Sequence, residues 1–267
     1  MIEINSALAP LIRHLHAEGR LRVWSLIVSI LGEVAQPEGG QIAMADVLKL
    51  CAALNIEPQA VRTAMSRLSK EGLVQGRKQG RKALYAFSSK GKKEYEIAAR
   101  IIYAKPRQIK TWIYAVPPPE MSRARLDEIS GHNPMFEISG SCYAWPSEYA
   151  SSIKSRAAGE LILFNQHPDT LPDWTQSTAM KHLNFETCTI LSESCSELSL
   201  GQLSMNDARA ARVLIVHFWR RLALRYPLIE APFPLQAWPL SAAHRAICAV
   251  YPHLVMQTAA EQIGRFK

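Results

Sequence analysis

The chain has 267 residues, 48% hydrophobic and 20% charged, with a formal net charge of +8. That length allows one large domain or two to three small ones, and the composition excludes wholesale disorder. The most apolar run, residues 23–31, is broken by Ser25 and Ser29 and is too short to span a bilayer.

Met1-Ile2-Glu3 opens the chain without a basic leader, so the expected location is cytoplasmic and no membrane partner is expected. Five cysteines at irregular spacing (Cys51, Cys142, Cys188, Cys195 and Cys248) point to reduced thiols rather than a disulfide framework. The charge is unevenly placed. Residues 1–110 hold 18 Lys/Arg against 9 Asp/Glu, and residues 111–267 hold 13 against 14. A basic module on a neutral body suits a DNA reader with a sensor or assembly region, although a solvated basic surface has the same composition.

In chain order, Leu8, Leu11, Ile12 and Leu15 predict a helix that stops at Gly19. A second helix is predicted over 21–31 with Gly32 at its end, followed by a loop over 36–40. Met44, Val47, Leu48, Cys51 and Leu54 mark a third helix, ended by Asn55. Pro58 starts a fourth at the first-turn position, where its missing N–H costs nothing. Its apolar stripe is Val61, Ala64, Met65 and Leu68; Gln59, Arg62, Thr63, Ser66, Arg67 and Lys70 face the other way. Glu71 falls nearer the apolar flank, which leaves the polar side free of acidic groups. Leu73-Val74 and residues 83–87 read as strands around Gln79-Gly80, and a linker helix follows over about 90–103. Helix, helix–turn–helix and basic hairpin together make a winged helix.

Beyond a boundary at Lys105-Pro106-Arg107, strands are predicted over 111–116, 136–145 and 161–164, with a short helix over 121–129. That pattern fits a small ferredoxin-like α+β sandwich. The chain turns helical from Leu171, with a long amphipathic helix over 208–226, a Pro-rich turn over 227–239 and a final helix from Ser241. The expected fold class is therefore α+β in three domains. Residues 1–104 form the winged-helix domain with its N-terminal and linker helices, 105–175 the ferredoxin-like domain, and 176–267 a helical domain for dimerisation or effector binding.

Two stretches, Arg22 to Gly32 followed by Ile56 to Leu68, and Leu214 to Arg221, then Leu224 to Pro227, then Leu235 to Pro239, resemble the PaaX family of phenylacetate-degradation repressors. Tyr226 stands where that family usually has Asp, and Leu240 where it usually has Gly. The resemblance implies a dimeric repressor that leaves its operator when an aryl-acetyl-CoA thioester, typically phenylacetyl-CoA, binds. It implies no tightly bound cofactor.

The expected DNA contacts are Gln59, Arg62, Thr63 and Ser66 at base edges, with Arg67, Lys70, Arg77, Lys78, Arg81 and Lys82 on phosphates. Arg62 has a competing role as an ion-pair partner of Asp46. His217, Arg220, Arg221 and Arg225 either clasp the phosphates of a CoA effector or form a solvated or dimer-lining face. Trp112, Tyr114, Trp145 and Trp238 either line an aryl pocket or fill the core. The sequence carries no phosphate-binding Gly loop, zinc-protease motif or nucleophile elbow, so no enzyme is expected. The alternatives are an acyl-CoA thioester enzyme with a basic appendage, or a regulator that senses oxidants through its thiols.

Overall fold

The computed structural model describes residues 6–258 apart from positions 18, 20, 106–108, 110, 132, 166–171, 173, 175–182, 200, 202 and 227–237. The expected boundary at Pro106-Arg107, the helical start at Leu171 and most of the Pro-rich turn lie outside the described residues. The chain is mixed α+β, its two sheets are antiparallel, and it divides into two compact units. The first comprises 1–105, 186–225 and 243–267; the second comprises 106–185 and 226–242. The helices expected to form a separate domain over 176–267 thus largely share the core of the N-terminal unit. Their apolar faces explain this, because eleven apolar residues of one helix alone are buried.

The first unit opens with α1 (Ala9–Ala17) and α2 (Val23–Ile30), then β1 (Ile42–Ala43), α3 (Met44–Ala53) and α4 (Pro58–Lys70). Asn55, with φ 57°, and the buried Ile56 make the turn between α3 and α4. Val61, Ala64, Met65 and Leu68 of α4 are buried at the spacing of one helical face. Strands β2 (Val74–Gln79) and β3 (Lys82–Phe87) follow, and the sheet order is β1-β3-β2. Gln79 pairs with Lys82, so the tip is Gly80-Arg81 rather than Gln79-Gly80. Gly80, at φ 58°, takes the turn position that glycine adopts without steric cost. Helix α5 (Ser89–Ile102) starts where the Ser88 hydroxyl accepts from the Gly91 N–H at 3.0 Å.

The second helix does not end at Gly32. It continues through a π-helical turn, Leu31–Ala35. Glycine is needed there for approach: a Cβ on Gly32 would lie 2.9 Å from the Tyr95 ring of α5. The turn carries the fully buried Glu33 into the core. The later helices are α8 (Phe185–Leu198), α9 (Met205–Arg225) and α10 (Pro239–Gln257), of which 186–225 and 243–257 belong to this unit. They close around that carboxylate. Tyr251 of α10 donates to Glu33 at 2.6 Å, Tyr103 donates to its other oxygen, and Arg212 of α9 lies 3.4 Å away. Arg212 also donates to the Glu33 carbonyl and the Thr258 hydroxyl, both at 2.7 Å. On the same helix Trp219 donates to the Ile102 carbonyl at 2.8 Å and stacks on His244.

The second unit runs β4 (Trp112–Val116), α6 (Arg123–Ser130), β5 (Phe136–Ser139), β6 (Cys142–Pro146), α7 (Ala150–Ala157) and β7 (Ile162–Phe164). Its sheet order is β5-β6-β4-β7. Helix α7 is an element that the strand-based expectation lacked; it buries Ile153 and Ala157. Strand alternation sends Ile113, Ala115, Tyr143 and Trp145 toward α6 and α7, and Trp112, Tyr114 and Ala144 to the opposite face. Trp112, Tyr114 and Trp145 are at most 2% exposed, and Trp238 lies against Phe136. All four scattered aromatics fill the core of this unit.

Breaking a buried ion pair strands a charge, at a cost of about 3–5 kcal/mol. Urea unfolding should show a loss of that order for Arg212→Met. The double variant Glu33→Gln/Arg212→Met should lose less, because Gln keeps the tyrosine partners without a buried charge.

Candidate nucleic-acid interface

All ten side chains expected to meet DNA are exposed: Gln59, Arg62, Thr63, Ser66, Arg67 and Lys70 on α4, and Arg77, Lys78, Arg81 and Lys82 on the hairpin. The buried stripe of α4 leaves its polar arc facing outward along the whole helix. Arg62 makes no ion pair with Asp46 among the described residues, so its guanidinium stays with the exposed arc. Thr63 donates back to the Gln59 carbonyl at 2.9 Å, which holds its hydroxyl against the helix.

Two features differ from the sequence-based expectation. Glu71 is not clear of the polar side: its carboxylate lies 2.7 Å from Arg67 Nε. The spacing of four residues carried that signal. The Arg67 guanidinium also lies 5.5 Å from the centre of the Trp24 ring. The hairpin register, moreover, divides the wing cations. Arg77 sits opposite Leu84 and Gln79 opposite Lys82, so Arg77 and Lys82 share one face, while Lys78 is on the other and Arg81 is at the tip.

His217, Arg220, Arg221 and Arg225 come together along α9, on the wall of a cleft of about 1260 Å³. Its other walls include Arg22 and Trp24, at the start of α2, and Gln59, Thr63 and Arg67 of α4. The lining described contains five arginines and no carboxylate. Two of the four α9 residues are built into the core. His217 is 3% exposed, with Nδ1 3.3 Å from the Ser29 hydroxyl. Arg220 donates to Ser29 Oγ at 3.0 Å and to the Ser25 carbonyl at 2.9 Å. Arg221 and Arg225 are exposed. Arg22, Trp24 and the serine partners of Arg220 were missing from the candidate list, and no local spacing links residues so far apart in sequence.

Burial, reinforced by Arg220 and Arg221, pushes the His217 pKa down to about 3. Burial beside Arg221 likewise lowers Arg220 to about 10, so it stays charged at neutral pH. An unfolded histidine titrates near 6.5, so below that pH the unfolded chain binds a proton that the folded chain refuses. Stability should therefore fall by up to about 1.4 kcal/mol per pH unit below pH 6.5, down toward the folded value. His217→Gln should flatten that acid limb in urea unfolding measured from pH 7 to pH 4.

Residues 22–91, which span α2 to the first turn of α5, match the family model described as PaaX-like protein. The chain is 24% identical over 254 residues to the transcriptional repressor PaaX of Escherichia coli (strain K12), covering 85% of this chain and 78% of that one. A solved structure of an uncharacterized Mycobacterium tuberculosis protein aligns with a TM-score of 0.47 and 14% identity, covering 88% of this chain and 97% of that chain. The helix pair, the hairpin and their preceding helix are thus a PaaX-like segment of the chain.

Proposed function

We propose that this protein is a DNA-binding transcriptional repressor whose residues 22–91 act as a winged helix, with the 112–164 segment a ferredoxin-like sandwich. The observation that carries this reading is the outward polar arc of α4, Gln59, Arg62, Thr63 and Ser66, beside a cationic two-stranded ribbon. An α-helix fits the major groove; glutamine pairs with adenine and arginine with guanine, while the ribbon cations meet flanking phosphates. Similarity to a named repressor over most of the chain supports the same reading.

A homodimer on two half-sites and release by an aryl-acetyl-CoA, such as phenylacetyl-CoA, extend the proposal; the family resemblance supports both. A thioester enzyme has less behind it, since the similarity is to a repressor. Thiol sensing is disfavoured chemically. Burial pushes Cys51, Cys188 and Cys195 up to about 12 and Cys248 to about 11, which leaves little of the thiolate that reacts with oxidants. Among the described residues no helix is long and apolar enough to cross a membrane.

Two sets of variants test the interface on a duplex taken from upstream of the protein's own gene. Replacing Arg77, Lys78, Arg81 and Lys82 by Ala should weaken specific and random DNA alike. It should also flatten the plot of log affinity against log salt by about one unit per lost phosphate contact. Arg62→Ala should instead cost about 1–3 kcal/mol on the specific duplex and little on random DNA. An unchanged salt slope in the first set would remove the hairpin from the interface.

A further inference from the structure

Glu71 stands where helix and DNA electrostatics both disfavour an acid. It caps the C-terminus of α4, where the helix dipole already presents negative charge. Its carboxylate pairs with Arg67, four residues back, in the less favourable of the two orders along a helix. Both side chains are well exposed, 59% for Arg67 and 41% for Glu71, and an exposed pair adds little to stability. Glu71 also lines the same surface groove as Arg62, Ser66, Arg67 and Lys70, where its charge repels a phosphate. Fold stability is a weak reason for a carboxylate here. Its hold on Arg67 is a stronger one.

The Arg67 guanidinium is pinned on two sides. Its Nε donates to Glu71 Oε1 at 2.7 Å, and Trp24 lies against the group with its ring centre 5.5 Å away. Among the described residues the two terminal nitrogens of Arg67 make no hydrogen bond. A guanidinium held through Nε keeps its Nη1 and Nη2 edge, and that edge can meet two phosphate oxygens at once. We propose that Glu71 and Trp24 are positioning residues that hold Arg67 in the orientation that grips one DNA phosphate. A loose arginine loses rotamer freedom when it binds, whereas one already held has lost it beforehand. The two holders come from different elements, the C-cap of α4 and the first turn of α2, so the clamp forms only where α2 packs on α4. The assignment rests on the repressor reading, in which Arg67 is one of several phosphate contacts.

Glu71→Gln and Glu71→Ala remove the same charge, but only Gln keeps an acceptor for Arg67 Nε, so their difference reads the hold alone. The test measures the affinity of the full chain for the duplex from upstream of its own gene. Glu71→Ala should bind about two- to tenfold more weakly than Glu71→Gln, the range expected for ordering one long side chain. In an Arg67→Ala background the two should bind alike. Trp24→Phe keeps an aromatic face and Trp24→Leu does not, so the Leu variant should bind more weakly than the Phe variant, again only while Arg67 is present. The clamp is refuted if Glu71→Ala matches or exceeds Glu71→Gln, as repulsion alone would have it, or if their difference survives without Arg67. A gap between the Trp24 variants that survives without Arg67, or no gap at all, removes Trp24 from the clamp. Each of these results with a wild type that binds the duplex leaves the repressor reading standing. A wild-type chain that binds neither this duplex nor random DNA overturns that reading, and the clamp with it.

Discussion

The first unit depends on one carboxylate. Glu33 is fully buried, and burying an isolated charge costs several kcal/mol even after relaxation. Arg212 offsets this, together with the hydroxyls of Tyr103 and Tyr251. These partners come from the end of α5, from α9 and from α10, so satisfying one group brings three segments of distant sequence to α2. Position matters as much as charge. The π-helical turn widens the helix where Glu33 points inward, and Gly32 lets the Tyr95 ring of α5 pack directly on the backbone beside it.

That constraint sets the geometry of the candidate interface. Helix α2 carries Glu33 at one end and Trp24 at the other, and it packs on both α4 and α9. The hydrogen bonds of Arg220 to Ser25 and Ser29 add a second tie between α2 and α9. The cleft is what remains between three helices held apart at fixed spacing. It gathers guanidinium groups because the ends of α2, α4 and α9 each contribute arginine there. Among these arginines, Arg67 is held by Glu71 and Trp24, which fixes it at the border between cleft and exposed arc.

Much of the candidate interface was legible in the sequence. The stripe Val61, Ala64, Met65 and Leu68 defines which side of α4 is buried, and Pro58 and Asn55 punctuate the turn before it. Periodicity is a local property, so it survives without tertiary information. The same logic misjudged Gly32. A glycine at the end of an apolar run looks like a helix stop, yet here it answers to a ring sixty-three positions away. It also set Glu71 clear of the polar arc, where a spacing of four residues puts its carboxylate on Arg67.

By itself the sequence determined the elements of residues 41–87, the outward set on α4 and the surplus of positive charge in the N-terminal part. Each follows from residue type, spacing and turn chemistry along a short stretch of chain. Tertiary structure alone decided that the C-terminal helices largely share a core with the N-terminal unit, that His217 and Arg220 face inward, and that arginines of three helices line one cleft. Those outcomes rest on contacts such as Ser29 with His217 and Glu33 with Arg212. Their partners are separated by well over a hundred residues, a distance across which no local pattern carries information.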